Sequence, residues 1–528
     1  MKLLYWNRST DCCHWNGVQC DKAGHVISLD LNNESITAGS ENITCLFSLQ
    51  FLQSLNLANN FFNYAQLPPG FNNLTSLTYL NLSSTSFAGQ VPSISQLKST
   101  SFAGQVPSIS QLKRLVTLDL STLYFEGPSS LKLEMPNLKM FMPNLKMFVQ
   151  NLTELIELHL DGVNLSAQGN EWCQALSSSL LNLRVLSLSN CYLSGSIHSS
   201  LAKIQSLSVI RLNHNNLNAP VPEFLANFLN LTALNLGFCN LYGNFPASIL
   251  QVPTLQTLDL SYNTLLQGTL QEFPQNGSLQ TLNLSYTNFS GALPTSVGNL
   301  GMLSEIKLSN CSFSGPLPYL MANLTRLLYL DLSSNMFMGP IPSFQKSRNL
   351  THIDLSRNNL VGSITSIHLE GLLNLVYIDL RFNSFSGSIP SFLFALPSLQ
   401  KLQLSNNHFD GLLPEFPNAS LSKLDTLDLS SNNLGGAIPE SLFELKRLII
   451  LSLSSNNFNG TIQLEMIYRL NNLATIDLSY NSLSIDARGT NSSFSPLSRI
   501  TSLNLASCNL QSFPNLIPKF DQSSITKT

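Results

Sequence analysis

Apolar and polar positions recur along the chain in one fixed order, shown most plainly by LDTLDLSSNNLGGAIPESLFELK, Leu424 to Lys446. Leu424, Leu427 and Leu429 open the unit; Asn432, Leu434, Gly436, Ile438 and Pro439 follow, giving L-x-x-L-x-L-x-x-N-x-L-x-G-x-I-P. Leu427 and Leu429 flank the polar Asp428, so period two predicts a short strand with its leucines inward and Asp428 outward. Asn432 falls where the chain turns, and its buried amide can satisfy backbone groups that no ladder reaches. Gly436 permits a tight backbone and Pro439 ends pairing. A single unit cannot bury its leucines, whereas stacked units can, so the pattern predicts a solenoid.

The first apolar position of each unit falls at 26, 52, 77, 115, 155, 183, 207, 231, 255, 279, 303, 327, 350, 375, 399, 424, 448, 473 and 500. From 183 to 327 every step is 24, and later steps run from 23 to 27. Cys191, Cys239, Cys311 and Cys508 stand in the same column as the Asn residues, which marks them as buried structural thiols rather than nucleophiles. Register breaks twice. STSFAGQVPSISQLK occupies 84–98 and again 99–113, and MPNLKMF occupies 135–141 and again 142–148. The step from 77 to 115 is 38, and removing one 15-residue copy restores 23. A bulging loop or local disorder is expected there. Longer connections are expected at 164–182 and 484–499. The organisation is therefore a short capping segment, 1–24, followed by about nineteen repeats over 25–528.

Charge narrows the function. Only 11% of the residues are charged and the formal net charge is -3, which disfavours a nucleic-acid partner. No run of 18 apolar residues suggests a membrane-spanning helix, and MKLLYW is too short for a secretory signal. Seventeen N-x-S/T sequons nonetheless point to an extracellular parent; candidate glycan acceptors include Asn7, Asn42, Asn73, Asn151, Asn230, Asn323, Asn349 and Asn459. Cys13 and Cys20 flank Trp15 and Gly17, and a disulfide between them would pin an edge-capping segment beside the first repeat.

WN-x-STDCC-x-WNGV-x-C and the L-x-G-x-I-P unit resemble the ectodomains of plant leucine-rich-repeat receptor-like proteins. EWCQALSSSLLNLRVLSLSNCYLSG (171–195), LDLSTLYFEGPSSLKLE (118–134) and YTNFSGALP (286–294) resemble the Verticillium-wilt-resistance type within them. The resemblance implies a cell-surface immune receptor at the plasma membrane that binds an extracellular, pathogen-derived ligand and signals through receptor kinases. It also implies an upstream helical cap whose cysteine bridges Cys12; without it Cys12 lacks a partner, in keeping with the odd total of nine cysteines. The chain accordingly reads as a truncated ectodomain. A soluble inhibitor of pathogen cell-wall-degrading enzymes and a non-functional receptor fragment are the rival readings.

The expected fold is an α/β leucine-rich-repeat solenoid, a right-handed horseshoe with a concave parallel sheet and convex 3₁₀ and loop segments. At about 4.8 Å per strand, nineteen strands would span roughly 90 Å. Binding candidates are departures from the bland Ser, Thr and Asp background. Phe238, Tyr262 and Tyr286 fall in one column of three successive repeats, with Arg211 and His214 one repeat earlier. The plain alternative is that Tyr fits this turn, since Tyr480 recurs there alone. His352, Arg357, Tyr377, Arg381 and Phe382 form a second group on adjacent repeats, in which two arginines beside aromatics suit a carboxylate or an acidic loop; the alternative pairs Arg357 with Asp354 or Asp379. Glu157, His159 and Asp161 share a strand face but project in parallel, so they read as charged surface rather than a metal site. Lys307 is expected to pair locally with Glu305. No phosphate-binding glycine loop, H-E-x-x-H or nucleophile elbow occurs, so neither an enzyme nor a cofactor is indicated.

Overall fold

A computed structural model describes residues 2–37, 40–62, 68–85, 87, 108–122, 145–486 and 500–510. The chain divides into two compact units, Met1–Gly268 and Thr269–Thr528.

In the first unit, nine short strands follow the predicted unit starts: Val26–Asp30, Ser54–Asn56, Tyr79–Asn81, Thr117–Asp119, Glu157–His159, Val185–Ser187, Val209–Arg211, Ala233–Asn235 and Thr257–Asp259. Each pairs in parallel with the next, centre to centre, as Leu186 with Ile210 and Leu234 with Leu258. Val18–Cys20 closes the first edge by pairing antiparallel with Val26–Asp30. The Cys13–Cys20 disulfide holds that edge strand to the 3₁₀ turn Cys12–His14. In the second unit a ladder of the same kind runs through ten strands among the described residues, from Thr281–Asn283 to Ser502–Asn504. Middle residues such as Leu258, Leu330 and Leu427 are fully buried, and their neighbours face outward.

Behind this ladder lies a second one, built from the N-x-L-x-G portion of each unit. Its strands in the second unit include Ser312–Pro316, Met336–Gly339, Ser384–Gly387 and Asn433–Ala437, again parallel. Phe313, Phe337, Phe385, Phe409 and Phe458 fill the space between the two ladders. Gly436 sits at φ 75°, where a side chain is disfavoured. Pro439 then precedes the 3₁₀ turn Glu440–Glu444, which suits a residue with no N–H to pair.

The Asn column ties neighbouring repeats together. Asn383 Nδ2 donates to the carbonyls of Leu355 and Leu380, at 2.9 and 3.1 Å, and its Oδ1 accepts from the Leu360 N–H at 3.0 Å. Asn215, Asn335, Asn407 and Asn456 repeat the arrangement. Cys191, Cys239, Cys311 and Cys508 replace half of it, each thiol donating to a carbonyl of the preceding repeat. Burial pushes the Cys239 thiol up to about 12 and Cys508 to about 11, which suppresses the nucleophilic thiolate.

The duplicated segments fall mostly outside the described residues, so the expected bulge is not described. The sheet runs on past both: Leu80 pairs with Leu118, and Leu118 with Leu158. The expected connection at 164–182 holds a helix, Gly169–Ser179. Glu171 closes its first turn by accepting from the Gln168 N–H, and Trp172 and Cys173 are fully buried. Most of 484–499 is likewise outside the described residues.

Candidate functional site

Two outward-facing surfaces carry the side chains that depart from the background. The first is the turn column one residue before each Asn or Cys. Its backbone is left-handed throughout, with φ between 52° and 59° at Asn59, Ser84, Asn190, Asn310, Ser334, Asn406, Ser431 and Ser455, among others. Asn and small polar residues tolerate that conformation; bulky ones adopt it at a cost of about 1 kcal/mol or more. Yet His214, Phe238, Tyr262, Tyr286, Arg357, Phe382 and Tyr480 all sit there, with φ from 53° to 58°. In the first unit three of them stack. The His214 and Phe238 rings are 4.3 Å apart, and Phe238 and Tyr262 are 4.0 Å apart with 13° between planes. Phe238 and Tyr262 are each 42% exposed. Arg211 ends the adjacent strand, half-buried on its outward side. In the second unit, Tyr286 is exposed, and Arg357 lies 4.4 Å from the centre of the exposed Phe382 ring.

The second surface is the outward face of the strand ladder in the second unit. First positions carry Glu305, Tyr329, His352, Tyr377 and Lys401 on successive strands; third positions carry Lys307, Asp331, Asp354, Asp379 and Gln403. Tyr329, His352 and Tyr377 form a continuous ring stack with centroids 4.2 Å apart and planes within 6°. Lys307 pairs with Glu305 at 2.9 Å and lies 5.0 Å over the Tyr329 ring. Tyr329 escaped the sequence reading, although YLD, HID and YID stand at successive strands and comparison of first positions alone reveals it.

Alongside the rings run Asp331, Asp354 and Asp379. Arg381 does not reach outward toward a carboxylate, as read from the sequence. Its Nη2 donates to Asp379 at 2.7 Å and its Nε at 3.0 Å, and that carboxylate is 1% exposed. The hydrogen bonds to Asp379 raise the Arg381 pKa further. Arg357 meets Phe382 rather than Asp354 or Asp379. Burial, opposed in part by hydrogen bonds from Ser356 and reinforced by Asp379 and Asp331, pushes Asp354 up to about 6. Burial raises Tyr329 to about 12 and lowers His352.

The other candidates lie apart from these surfaces. Glu157 and His159 approach to 3.9 Å, but Asp161 lies beyond the strand and accepts from the Ser187 hydroxyl and the Ser189 N–H. Among the described residues the only potential metal-ligand cluster is Cys12, Cys13 and Cys20, two of which form the disulfide. Asn7, Asn73, Asn230, Asn323, Asn349 and Asn459 are exposed, Asn151 is half-buried, and the side chain of Asn42 is outside the described set. A shallow hollow lined by Gln400, Lys423, Asp425, Arg447, Ile449 and Asn472 lies at the edge of the same ladder. Among the described residues, no helix is long and apolar enough to cross a membrane.

Stacked ladders with a buried Asn column and an open, chemically varied face define a leucine-rich-repeat protein. Family models for the leucine-rich repeat match 348–409, 397–458, 182–204 and 278–300, and one for the leucine-rich-repeat N-terminal domain matches 2–21. The chain thus carries leucine-rich repeats and is similar to plant receptor-like proteins. It is 34% identical to Receptor-like protein 6 of Arabidopsis thaliana over 226 residues, 42% of this chain and 20% of that protein. It is 30% identical to the Receptor-like protein Cf-9 homolog of Solanum lycopersicum over 168 residues, 31% of this chain and 17% of that protein. The matched stretches thus span about a fifth of those relatives, and they do not separate the Verticillium-wilt-resistance type from others. Among solved structures, the Arabidopsis receptor kinase HAESA ectodomain, in complex with an extended IDA peptide hormone, superposes with a TM-score of 0.77 at 28% identity, covering 96% of this chain and 83% of that one. The plant peptide hormone receptor RGFR1, in complex with RGF2, superposes with a TM-score of 0.70 at 26% identity, covering 96% and 81%.

Proposed function

We propose that this chain is the extracellular recognition part of a plant immune receptor and that it binds a peptide or protein ligand along the outward face of its first strand ladder and along its turn column. One observation carries the reading: large aromatic and cationic side chains occupy left-handed turn positions that small polar residues fill at lower cost. Side chains retained at such a cost are there for what they present to solvent. The fold's likeness to HAESA and RGFR1, each in complex with a peptide hormone, supports a peptide or protein as ligand. The HAESA complex that includes the co-receptor SERK1 supports a receptor-kinase partner for the full-length parent. The pathogen origin of the ligand and the defence role rest on the resemblance to the Verticillium-wilt-resistance type.

The test is photo-crosslinking of the secreted chain with peptides fractionated from fungal culture filtrate. A photoreactive residue is placed at Tyr262 or Tyr377, and in parallel at Met336 or Met338 on the second ladder, where both methionines are exposed. Crosslinks concentrated at Tyr262 or Tyr377 support recognition by these faces. Equal yields at all four sites, or yields greatest at the methionines, refute it.

A further inference from the structure

The ring stack of the second unit stands beside carboxylates that are paired unevenly. At Asp379 the chain itself supplies a cation: Arg381 lies side-on against the carboxylate, where Ser333, Ser356, Ser405 and Ser430 stand in the same column elsewhere. At Asp331 and Asp354 that column holds only serine. Ser333 and Ser356 each donate a hydroxyl and an N–H to one carboxylate oxygen, Oδ1. Among the described residues, no Lys or Arg comes within ion-pair distance of either acid. Lys307, the nearest cation along the stack, is engaged by Glu305 and Tyr329. The two acids lie on adjacent paired strands, Asp331 opposite Asp354, about 4.8 Å apart at strand spacing. A single guanidinium or ammonium donating at about 2.8 Å on either side reaches both.

We propose that the ligand places an arginine or lysine side chain between Asp331 and Asp354, with its aliphatic stem along the edges of Tyr329, His352 and Tyr377. This deepens the recognition reading above and rests on it. The occupant is an extended basic segment of a peptide or protein, because charge complementarity and a ring wall on one flat face suit a long side chain whose stem is apolar and whose head is cationic. Arg381 already directs its Nε and Nη2 at Asp379. Protonation of Asp354 at acid pH weakens the site, and the groups facing it are Asp331, Asp379, His352, Tyr329 and Tyr377.

The probes are three pentapeptides, acetyl-Ser-Leu-Xaa-Leu-Ser-amide, with arginine, its neutral isostere citrulline, or glutamate at Xaa, titrated onto the whole chain by saturation-transfer NMR at pH 7.5. The arginine peptide is expected to bind about tenfold more tightly than the citrulline peptide, with the glutamate peptide weakest. Asp331→Asn and Asp354→Asn should each collapse that gap, whereas Asp428→Asn, in the same column but away from the rings, should leave it intact. Each Asn retains an oxygen for the serine donors, so the fold is kept. Equal binding of the arginine and citrulline peptides, preference for glutamate, an unchanged gap in both variants, or no arginine-peptide binding up to about 10 mM overturns the proposal. If the photo-crosslinks at Tyr377 persist while this test fails, the cation is wrong and the receptor reading stands. If the crosslinks fail as well, both fall.

Discussion

Replacing Asp354 with Asn should stabilise its strand at neutral pH and do nothing at low pH. The carboxyl titrates at about 6 in the folded chain against 3.8 for an ordinary aspartate, chiefly because it is buried. A carboxylate whose pKa is raised on folding contributes stability that is complete below 3.8 and is lost as pH climbs through 6. Roughly two pK units set a ceiling of about 3 kcal/mol at pH 8. Solvent screening at this half-buried position reduces it to about 1–2 kcal/mol. Asn keeps the acceptor for the Ser356 N–H and hydroxyl, at 3.0 and 2.6 Å in the native chain, so the substitution removes charge without removing the turn. A chain of stacked repeats does not unfold as one cooperative unit, so the assay is local: amide hydrogen exchange of Ile353 to Leu355, compared with the native chain at each pH. Protection should rise about 5- to 30-fold at pH 8 and converge with the native chain at pH 3.5. Unchanged protection at pH 8, or an equal gain at pH 3.5, refutes the electrostatic account.

Two further predictions concern the Asn column. Asn383→Ala leaves the Leu360 N–H without its acceptor and takes one of two amide donors from each of the Leu355 and Leu380 carbonyls, which Asn358 and Asn407 still reach; it should cost about 2–3 kcal/mol, read as exchange spreading through the flanking repeats, and Asn383→Cys should cost less, because a thiol restores one of the donated bonds. In native protein at pH 8, the buried Cys173 and Cys239 should resist Ellman's reagent while the exposed Cys45 reacts within minutes, and all should react in denaturant; fast modification of Cys239 in the native chain would refute its shielding.

The strand ladder was legible because leucines at fixed intervals leave one arrangement that buries them all, and Leu427 or Ile353 could be placed from spacing alone. The Asn column was equally legible, and so was the capping pair Cys13 and Cys20. The helix Gly169–Ser179 was not read, because its Trp172, Cys173 and Leu176 interrupt the repeat and were taken as connection. The second ladder lies on the side where 3₁₀ and loop segments are expected; its continuity depends on hydrogen bonds between repeats, which spacing within one unit does not reveal. At the site, His352 and Tyr377 stood out as unusual letters, but Asp331 and Asp354 were hidden among motif aspartates. What distinguishes them from the other serine-paired aspartates of the column is the ring stack on their own strands. Spacing likewise hides the partner of Arg381: Asp379 lies two residues back, at the end of the strand Tyr377–Asp379, and the side chain folds back onto it.

The division of labour inside each repeat bears on how such a protein changes over generations. Leucines at the strand centres and Asn at the turn hold the architecture, and substitutions there are punished by several kcal/mol. Exposed outward positions away from the motif aspartates touch little of the interior, and exchanges at such places usually shift stability by no more than about 0.5 kcal/mol. Each rung thus behaves as a letter that can be rewritten while the spine of the text stays fixed. A lineage confronting a new ligand can explore single rungs independently, or lengthen the text by whole units, without first having to rescue a failing fold.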